Sequence, residues 1–326
     1  MEQPSVASGF GASSTAGEVL RGIDLRGKLA VVTGGYSGLG HEMTHALAGA
    51  GARVIVPARR PMEARATLAN MAGVSVVEMD LADLDSVRTF ARDLVEEGNA
   101  VDIVIANAGV MACPETRLAN GWELQFAVNH LGHFLLVARL WPLLVKASSA
   151  RVVVMSSGAH AITNIRWDDP HFDKGYDRWQ AYGQSKTANI LFAVGLDAIG
   201  KEHGIRAFAV HPGNILTPLQ RHLTRAEMVE AGWVDENGRL VDPSFKTSEQ
   251  GAATAVWAAT SPHLSGLGGL YCEDCGIAPV ATSLAEPGVQ SYALDPGSAF
   301  RLWRLSAKLT GDDPADIGVE QARPSR

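Results

Sequence analysis

Cysteine is scarce in this chain, and basic residues are outnumbered by acidic ones. Three of the 326 residues are cysteine, and this odd number makes no disulfide framework. We therefore expect a reducing compartment, namely the cytoplasm. The net charge is −7, so the chain lacks the basic surplus that is typical of nucleic-acid-binding proteins, and we expect no nucleic-acid partner.

The sequence is equally poor in signals for membranes or secretion. No apolar run approaches the roughly 20 residues that span a bilayer, and no basic stretch followed by an apolar one stands at the N-terminus. Hydrophobic residues make up 46% of the chain and charged residues 19%, which is ordinary for a globular enzyme. No linker separates two halves, so we predict one domain at 25–290, an N-terminal arm at 1–24 and a C-terminal extension at 291–326.

Short apolar segments alternate with helix-length amphipathic segments through most of the chain. This alternation predicts a Rossmann-type α/β fold, with a doubly wound parallel sheet of seven strands between two helical layers. Longer helices are expected at about 121–147, with a kink near Pro142, at 179–200 and at 247–260. The seven predicted strands lie at 28–33, 53–57, 74–79, 101–106, 151–155, 205–211 and about 268–271.

A glycine-rich turn, Thr33-Gly-Gly-Tyr-Ser-Gly-Leu-Gly40, joins the first strand to an alanine-rich helix. Strand, glycine turn and helix in this order open a dinucleotide-binding unit, because the backbone can approach a pyrophosphate at the helix N-terminus. The second strand ends in Pro57-Ala-Arg-Arg60, without the acid that commonly binds the ribose 2′-hydroxyl of NAD. Arg59 or Arg60 could instead pair with a 2′-phosphate, which favours NADP and leaves NAD open; both could also be merely solvated.

Tyr182 and Lys186 are four residues apart, so in a helix their side chains share a face. An ammonium beside a phenol favours the phenolate, and we expect the pKa of Tyr182 to fall toward the range of proton transfer. Taken alone, the pair could be a chance spacing in a helix. The rest of the chain, with its glycine turn, a serine and an asparagine, favours a catalytic role.

Together these motifs resemble the short-chain dehydrogenase/reductase family over about 27–275. Within the family, the sequence Val128-Asn-His-Leu-Gly-His-Phe134 and the 25-residue gap between Ser157 and Tyr182 most resemble the retinol dehydrogenase-like branch. Ala106 stands where the family usually has an asparagine, and we expect this change to alter strand packing more than chemistry. The matching residues, all in family order, are Thr33–Gly40, Asp80, Asn107–Gly109, Asn129, Ser157, Tyr182, Lys186 and Pro212-Gly213.

The resemblance implies hydride transfer between nicotinamide and a carbonyl or alcohol carbon. It implies that Tyr182 is the general acid or base, that Ser157 hydrogen-bonds the reacting oxygen and that Lys186 holds the nicotinamide ribose. Asn129 would support a water-mediated proton path. The implied cofactor contacts are Thr33, Gly34, Tyr36, Ser37, Gly38, Leu39, Gly40, Arg59, Asp80, Leu81, Asn107, Ala108, Gly109, Tyr182, Lys186, Pro212, Gly213, Ile215 and Thr217.

Simpler explanations exist for several of these residues. Ser157 could be a turn residue, Asn129 a structural hydrogen-bonding group and Asp80 the N-cap of the next helix. His130 and His133 are expected to be packed or hydrogen-bonded rather than to bind a ligand. The spacing Cys272-Glu-Asp-Cys275 resembles a metal or redox motif. It lacks the further ligands of a zinc site, so we predict no metal.

A long segment at 213–246 follows a strand end, where open α/β sheets bind their ligands. It is either a helical excursion packed on the core or a lid over a hydrophobic, aromatic or polycyclic carbonyl or alcohol. A non-catalytic NAD(P) sensor with the same fold is the alternative function, and a homodimer or homotetramer is compatible with either. The apolar residues of the segment are Ile215, Leu216, Leu219, Leu223, Met228, Trp233, Val234, Leu240 and Phe245.

Overall fold

The computed structural model describes residues 3–283 and 286–313 of the chain. One sheet has the strand order β3-β2-β1-β4-β5-β6-β7-β8, and strands β1 to β7 are parallel to one another. The predicted doubly wound parallel sheet of seven strands is therefore confirmed. The strands are β1 (Leu29–Val32), β2 (Arg53–Ala58), β3 (Val74–Glu78), β4 (Ile103–Ala106), β5 (Ala150–Met155), β6 (Ile205–Val210), β7 (Leu270–Glu273) and β8 (Gly276–Ile277).

The eighth strand, β8, is an addition that the sequence did not predict. It pairs antiparallel with β7 in a tight hairpin. Asp274 and Cys275 form the turn with φ of 50° and 56°, a conformation that usually calls for glycine. The Cys272/Cys275 spacing thus belongs to a β-hairpin, and both thiols are buried and free.

Helices cover both faces of the sheet, as predicted for a three-layer fold. On one face α4, α6 and α7 bury side chains such as Phe90 and Leu140, and on the other α2 and α9 bury Leu47 and Trp257. The helices are α1 (Ala16–Val19), α2 (Gly38–Gly49), α3 (Pro61–Leu68), α4 (Leu84–Glu97), α5 (Leu124–Phe126), α6 (Gly132–Lys146), α7 (Arg178–Gly200), α8 (Arg225–Glu230), α9 (Ser248–Thr260) and α10 (Pro296–Thr310).

The long helix predicted at 121–147 is interrupted. A π-helical turn, Ala127–Leu131, lies between α5 and α6, while Pro142 lies inside the regular helix α6. The backbone irregularity therefore occurs some way before the proline. The stretch Leu124–Lys146 is long and apolar enough by composition to cross a membrane, so the expectation that no apolar run approaches this length is wrong. Most of the stretch is buried inside the fold as a core helix.

Both terminal segments pack on the domain. Thr15 and Glu18 form the capping box that starts α1, and the Gln3 side chain hydrogen-bonds backbone groups of Tyr271 and Ala278. Near the other end, α10 lies against α7 and buries Trp303 in the main core. The proposed boundaries at 24 and 290 stay predictions, and 1–2 and 314–326 lie outside the described residues.

Candidate active site

The carboxyl ends of β1, β2 and β4 border a cleft of about 390 Å³. The strand order reverses between β1 and β4, and ligands bind at such switch points in open α/β sheets. The predicted cofactor residues that line the cleft are Thr33, Gly34, Tyr36, Ser37, Gly38, Leu39, Arg59, Asp80, Leu81, Asn107, Ala108, Gly109 and Thr217.

The glycine turn has backbone conformations and close contacts that residues with a side chain would not tolerate. Gly34 and Gly38 have φ of 64° and 52°, in the left-handed region. A Cβ on Gly40 would lie 2.2 Å from the Gly34 carbonyl oxygen, so the first turn of α2 packs directly against the loop. The open cradle above a helix N-terminus fits a dinucleotide pyrophosphate, which these residues would hold through backbone N–H groups.

The remaining predicted cofactor residues lie beside the cleft rather than in its lining. Gly40 supports the glycine turn from below, and Gly213 has a φ of 95° in the loop after β6. Ile215 is buried, and a Cβ on Gly251 of α9 would touch its side chain. Pro212 lies between His211 and Gly213, and the Nδ1 of His211 accepts N–H bonds from Gly158 and Gly213 at 3.2 and 3.4 Å. That histidine therefore ties this loop to the one carrying Ser157.

Asp80 lines the cleft and also shapes the loop before α4. Its Oδ1 accepts the N–H of Ala82 at 3.0 Å. The N-cap of α4 is Asp83, whose side chain accepts the N–H groups of Asp85 and Ser86. The alternative role of Asp80 as helix cap is therefore wrong, and its position in the lining agrees with a cofactor contact.

The Asn129 side chain has a structural role inside the π-helical turn. Its Oδ1 accepts the N–H of Val110 at 2.9 Å, and its Nδ2 donates to the Val110 carbonyl and to Ser185 Oγ, both at 2.9 Å. The amide thus joins the loop after β4 to helix α7. These bonds leave the side chain no donor for a water, so a proton path at this residue stays a prediction.

A buried histidine links this asparagine to the glycine turn. His133 Nδ1 lies 3.0 Å from the Asn129 carbonyl, which can only accept, so Nδ1 carries the proton. Its Nε2 then accepts the hydroxyl proton of Thr33 at 2.8 Å, while Thr33 Oγ1 accepts the N–H groups of Asn107 and Ala108. His130 bonds Ser306 instead. Both histidines are hydrogen-bonded rather than ligands.

Ser157, Tyr182 and Lys186 meet at the carboxyl end of β5. The Ser157 side chain lies beside the Tyr182 hydroxyl and lowers its pKa, and Lys186 Nζ lies 5.5 Å from the centre of the Tyr182 ring. Lys186 Nζ donates to the Met155 carbonyl at 3.0 Å. The structure therefore brings the three predicted catalytic residues together, with Asn129 one hydrogen-bonded step away through Ser185 on α7.

Burial controls the ionisation of this pair. It raises the pKa of Tyr182 to about 12, and the Ser157 side chain only partly opposes that rise. Burial also lowers the pKa of Lys186 to about 8. The expected fall of the tyrosine pKa is therefore wrong for the protein alone, because desolvation outweighs the attraction of an ammonium 5.5 Å from the ring.

Apolar side chains of the lid, residues 213–246, surround the phenol. Tyr182 packs in a cluster with Met111, Ala112 and Leu223, all buried. Leu216 and Leu240 lie exposed on the outside of the lid. The other hydrophobic residues packed against the cluster are Ala159, Trp179, Leu219, Met228 and Trp233.

A salt bridge holds helix α8 of the lid against the start of α7. Arg178 at the start of α7 pairs with Glu227 in α8. Glu227 also accepts the N–H of Thr224 at 2.7 Å, and these bonds lower the pKa of its carboxyl to about 2. Residues 213–246 therefore pack beside Tyr182 as a set of short helical turns, an arrangement that fits either a packed helical excursion or a lid.

Comparison with known proteins agrees with this geometry. A family profile described as short chain dehydrogenase matches residues 28–228. The chain belongs to the short-chain dehydrogenase family. A probable oxidoreductase of Streptomyces lividans is 47% identical to it over 87% of this chain and 98% of the relative. Retinol dehydrogenase 12 of Mus musculus is 37% identical over 89% of this chain and 88% of the relative, which supports the retinol dehydrogenase-like branch.

Solved structures of other proteins have a similar fold. A protein of Mycobacterium paratuberculosis is similar with a TM-score of 0.71 and 32% identity, over 92% of this chain and 98% of that one. RhlG of Pseudomonas aeruginosa, solved as an NADP active-site complex, has a TM-score of 0.59 and 26% identity, over 77% and 95%. Family membership and this complex support use of a nicotinamide cofactor and action on a small-molecule alcohol or carbonyl.

Sequence reasoning missed several residues of the short-chain dehydrogenase cleft. They reach it from β2, α3, the residue after β3, the loop after β4, the start of the long helix and the lid. The position of the lid after Pro212-Gly213 was the available signal, but the orientation of each side chain depends on tertiary packing. The missed lining residues are Pro57, Ala58, Glu63, Met79, Val110, Leu124, Val128, Pro218, Leu219 and Arg221.

Proposed function

We propose that this short-chain dehydrogenase is an NADP-dependent oxidoreductase of the cytoplasm. It interconverts the carbonyl and alcohol forms of a hydrophobic substrate, aromatic or polycyclic, with Tyr182 as the general acid or base. The observation that carries the proposal is the setting of Tyr182. Ser157 lies beside its hydroxyl, Lys186 lies beside its ring, and apolar lid residues pack in and against its cluster.

The chemistry assigned to this chain is proton transfer and positioning. A bound nicotinamide supplies or accepts the hydride. In reduction, Tyr182 Oη donates its proton to the substrate oxygen as negative charge develops there, and in oxidation it accepts that proton. The Ser157 hydroxyl donates a hydrogen bond to the same oxygen and holds it in place. The Lys186 ammonium holds the cofactor ribose hydroxyls.

The raised pKa of Tyr182 is compatible with this role. A phenol with a pKa of about 12 is protonated at neutral pH, so it is ready to act as a donor in reduction. Oxidation needs the phenolate, which the protein alone disfavours. At neutral pH the phenol is therefore in the protonation state that carbonyl reduction requires.

The lid supports a bulky apolar substrate. Leu223 belongs to the buried cluster that contains Tyr182, and Leu219, Met228 and Trp233 pack against that cluster. Each buried substrate methylene adds about 0.8 kcal/mol of binding in such a pocket. Closing these side chains over the reacting carbon also excludes water from the hydride path. We therefore expect kcat/KM to increase from acetone-sized ketones to aromatic or polycyclic carbonyls.

Arg59 supports NADP over NAD. It lines the cleft directly after β2, and among the described residues it forms no ion pair, whereas the neighbouring Arg60 bonds Glu63 at 2.8 Å. A free guanidinium at this place can take the two oxygens of a 2′-phosphate.

A panel of ketones and aldehydes tests the proposed function directly. NADPH and NADH oxidation is followed at the nicotinamide absorbance band with carbonyls of increasing size. We expect turnover with NADPH and a preference of about a hundredfold for bulky apolar carbonyls. Tight NADPH binding with no turnover of any carbonyl or alcohol would favour the alternative, a nucleotide-sensing binding protein.

A further inference from the structure

Arg221 extends from the lid into the cofactor cleft. It lies in the 3₁₀ turn Pro218–His222, and its side chain lines the same cleft as Arg59 and Arg60. One of its amino groups donates to the Pro218 carbonyl at 3.0 Å. Three guanidinium groups from two distant parts of the chain therefore border one end of this cleft.

The charges at this end are not balanced by the protein. The described lining holds two carboxylates: Glu63, which is bonded to Arg60 at 2.8 Å, and Asp80, which forms no ion pair with a described residue. Within the described residues, neither Arg59 nor Arg221 has an ion-pair partner. Burial, followed by repulsion from Arg59 and Arg60, lowers the pKa of Arg221. Like charges that converge without a counter-charge favour binding of an anion.

The lid also contacts the glycine turn itself. A Cβ built on Gly38 would lie 3.3 Å from the Thr217 side chain, so the start of the 3₁₀ turn packs on the pyrophosphate-binding loop. The next residues of the lid, Leu219 and Leu223, pack around Tyr182. One short element therefore connects the arginine end of the cleft with the catalytic phenol.

We propose that Arg221 binds the ribose 2′-phosphate of NADP together with Arg59, and thereby couples the presence of that phosphate to closure of the lid over Tyr182. This inference rests on the proposed NADP dependence and adds a second, lid-borne ligand to it. The 2′-phosphate is favoured over the pyrophosphate because Arg221 lines the cleft together with Arg59 and Arg60, which follow β2, where the 2′-substituent of the ribose is recognised.

Binding of adenine nucleotides to Arg221→Gln tests the assignment. Calorimetry with NADPH, NADH, 2′,5′-ADP and ADP separates the 2′-phosphate from the rest of the cofactor. Loss of one charge-assisted contact should weaken NADPH and 2′,5′-ADP about 10- to 150-fold, with NADH and ADP changed less than about threefold. Arg225→Gln is the matched control, because it removes the same charge from helix α8 of the lid outside the cleft lining, and it should change nothing.

Lid closure provides a second readout. Hydrogen exchange at 215–232 should slow when 2′,5′-ADP is added to the wild type, and this protection should be absent in Arg221→Gln. Equal weakening of NADPH and NADH, or no weakening of either, would overturn the inference. If Arg59→Ala removes the NADPH preference and Arg221→Gln does not, the inference about Arg221 fails while the proposed NADP dependence stands. A wild type that binds NADH as well as NADPH would overturn the NADP proposal together with it.

Discussion

Tyr182 and Lys186 are both buried, and burial favours the uncharged form of each. The pKa of Lys186 lies at about 8 and that of Tyr182 at about 12. Near neutral pH the lysine is therefore mostly charged and the phenol protonated, which is the state that carbonyl reduction requires. Above pH 8 the ammonium loses its proton first.

This difference predicts a pH dependence of cofactor capture. We expect kcat/KM for NADPH to be constant below pH 8 and to fall about tenfold per pH unit above an apparent pKa near 8, because neutral Lys186 loses its charge-assisted bonds to the ribose. The quantity kcat/KM for the cofactor reports the free enzyme, whose ionisation the structure describes. A profile constant from pH 6 to pH 10 would contradict the role of Lys186.

Arg59 gives a prediction on cofactor selectivity. If it pairs with the 2′-phosphate, Arg59→Ala should weaken NADPH about 10- to 150-fold and leave NADH binding nearly unchanged. Arg65→Ala on α3 is a suitable control, since this exposed arginine bonds the Val76 carbonyl instead of lining the cleft. Dissociation constants from fluorescence titration decide the matter. Equal weakening of both cofactors, or none, would defeat the assignment.

The lid is the element that we expect to determine substrate size. Trp233 packs against the Tyr182 cluster and against Phe245, with ring centres 5.8 Å apart. Trp233→Ala should reduce the preference for bulky carbonyls at least tenfold, since it removes apolar surface worth several methylene groups, and should leave NADPH affinity unchanged.

Val241→Ala is the matched control for this variant. Val241 donates its backbone N–H to the Trp233 carbonyl at 3.0 Å, but its side chain is 54% exposed on the outer side of the lid. The ratio of kcat/KM for a polycyclic and a three-carbon ketone is the measurement. An unchanged ratio in Trp233→Ala, or the same loss in Val241→Ala, would count against the lid as the specificity element.

Regular elements and the glycine turn could be predicted because their signals are local. Apolar segments and helix caps such as the Thr15/Glu18 box depend on residues close in sequence. The β7–β8 hairpin could not be predicted, because Asp274 and Cys275 adopt a left-handed conformation that is uncommon for their residue types. The break in the long helix falls at Asn129, whose bonds to Val110 and Ser185 form only in the folded chain.

Predictions on the site also divide into those that depend on local sequence and those that depend on tertiary packing. The pairing of Tyr182 with Lys186 follows from helical periodicity, and the structure brings them together. The direction of the Tyr182 pKa was wrong, because desolvation depends on neighbours that come from distant parts of the chain, including Met111 and Leu223. Arg221 was missed for the same reason.

The molecule as a whole buries several neutral histidines. Burial lowers the pKa of His130 to about 3 and of His133 and His211 to about 4, and it lowers that of His160 as well. An unfolded histidine titrates near 6.5, so the unfolded chain binds more protons between about pH 4 and 6.5. The stabilisation is fully present above pH 6.5 and is lost as the pH falls through this window.

Urea unfolding as a function of pH tests this expectation. Between pH 6.5 and 5.5, above the range of ordinary carboxylates, the free energy of unfolding should fall by at least about 2.7 kcal/mol, which corresponds to about two protons. His211→Asn should reduce this slope, since an amide oxygen can replace Nδ1 as the acceptor for Gly158 and Gly213. A free energy of unfolding that stays constant between pH 6.5 and 5.5 would contradict this effect of the buried histidines.

Turnover of Tyr182→Phe tests the proposal that Tyr182 is the proton donor. The matched control is Tyr271→Phe, which removes a buried hydroxyl that has no hydrogen-bond partner among the described residues. With a bulky carbonyl and saturating NADPH, we predict that Tyr182→Phe binds NADPH nearly as the wild type does but loses about 10²- to 10⁴-fold in kcat, while the control keeps its activity. Retention of more than about a tenth of the wild-type kcat in Tyr182→Phe would contradict its role as the proton donor.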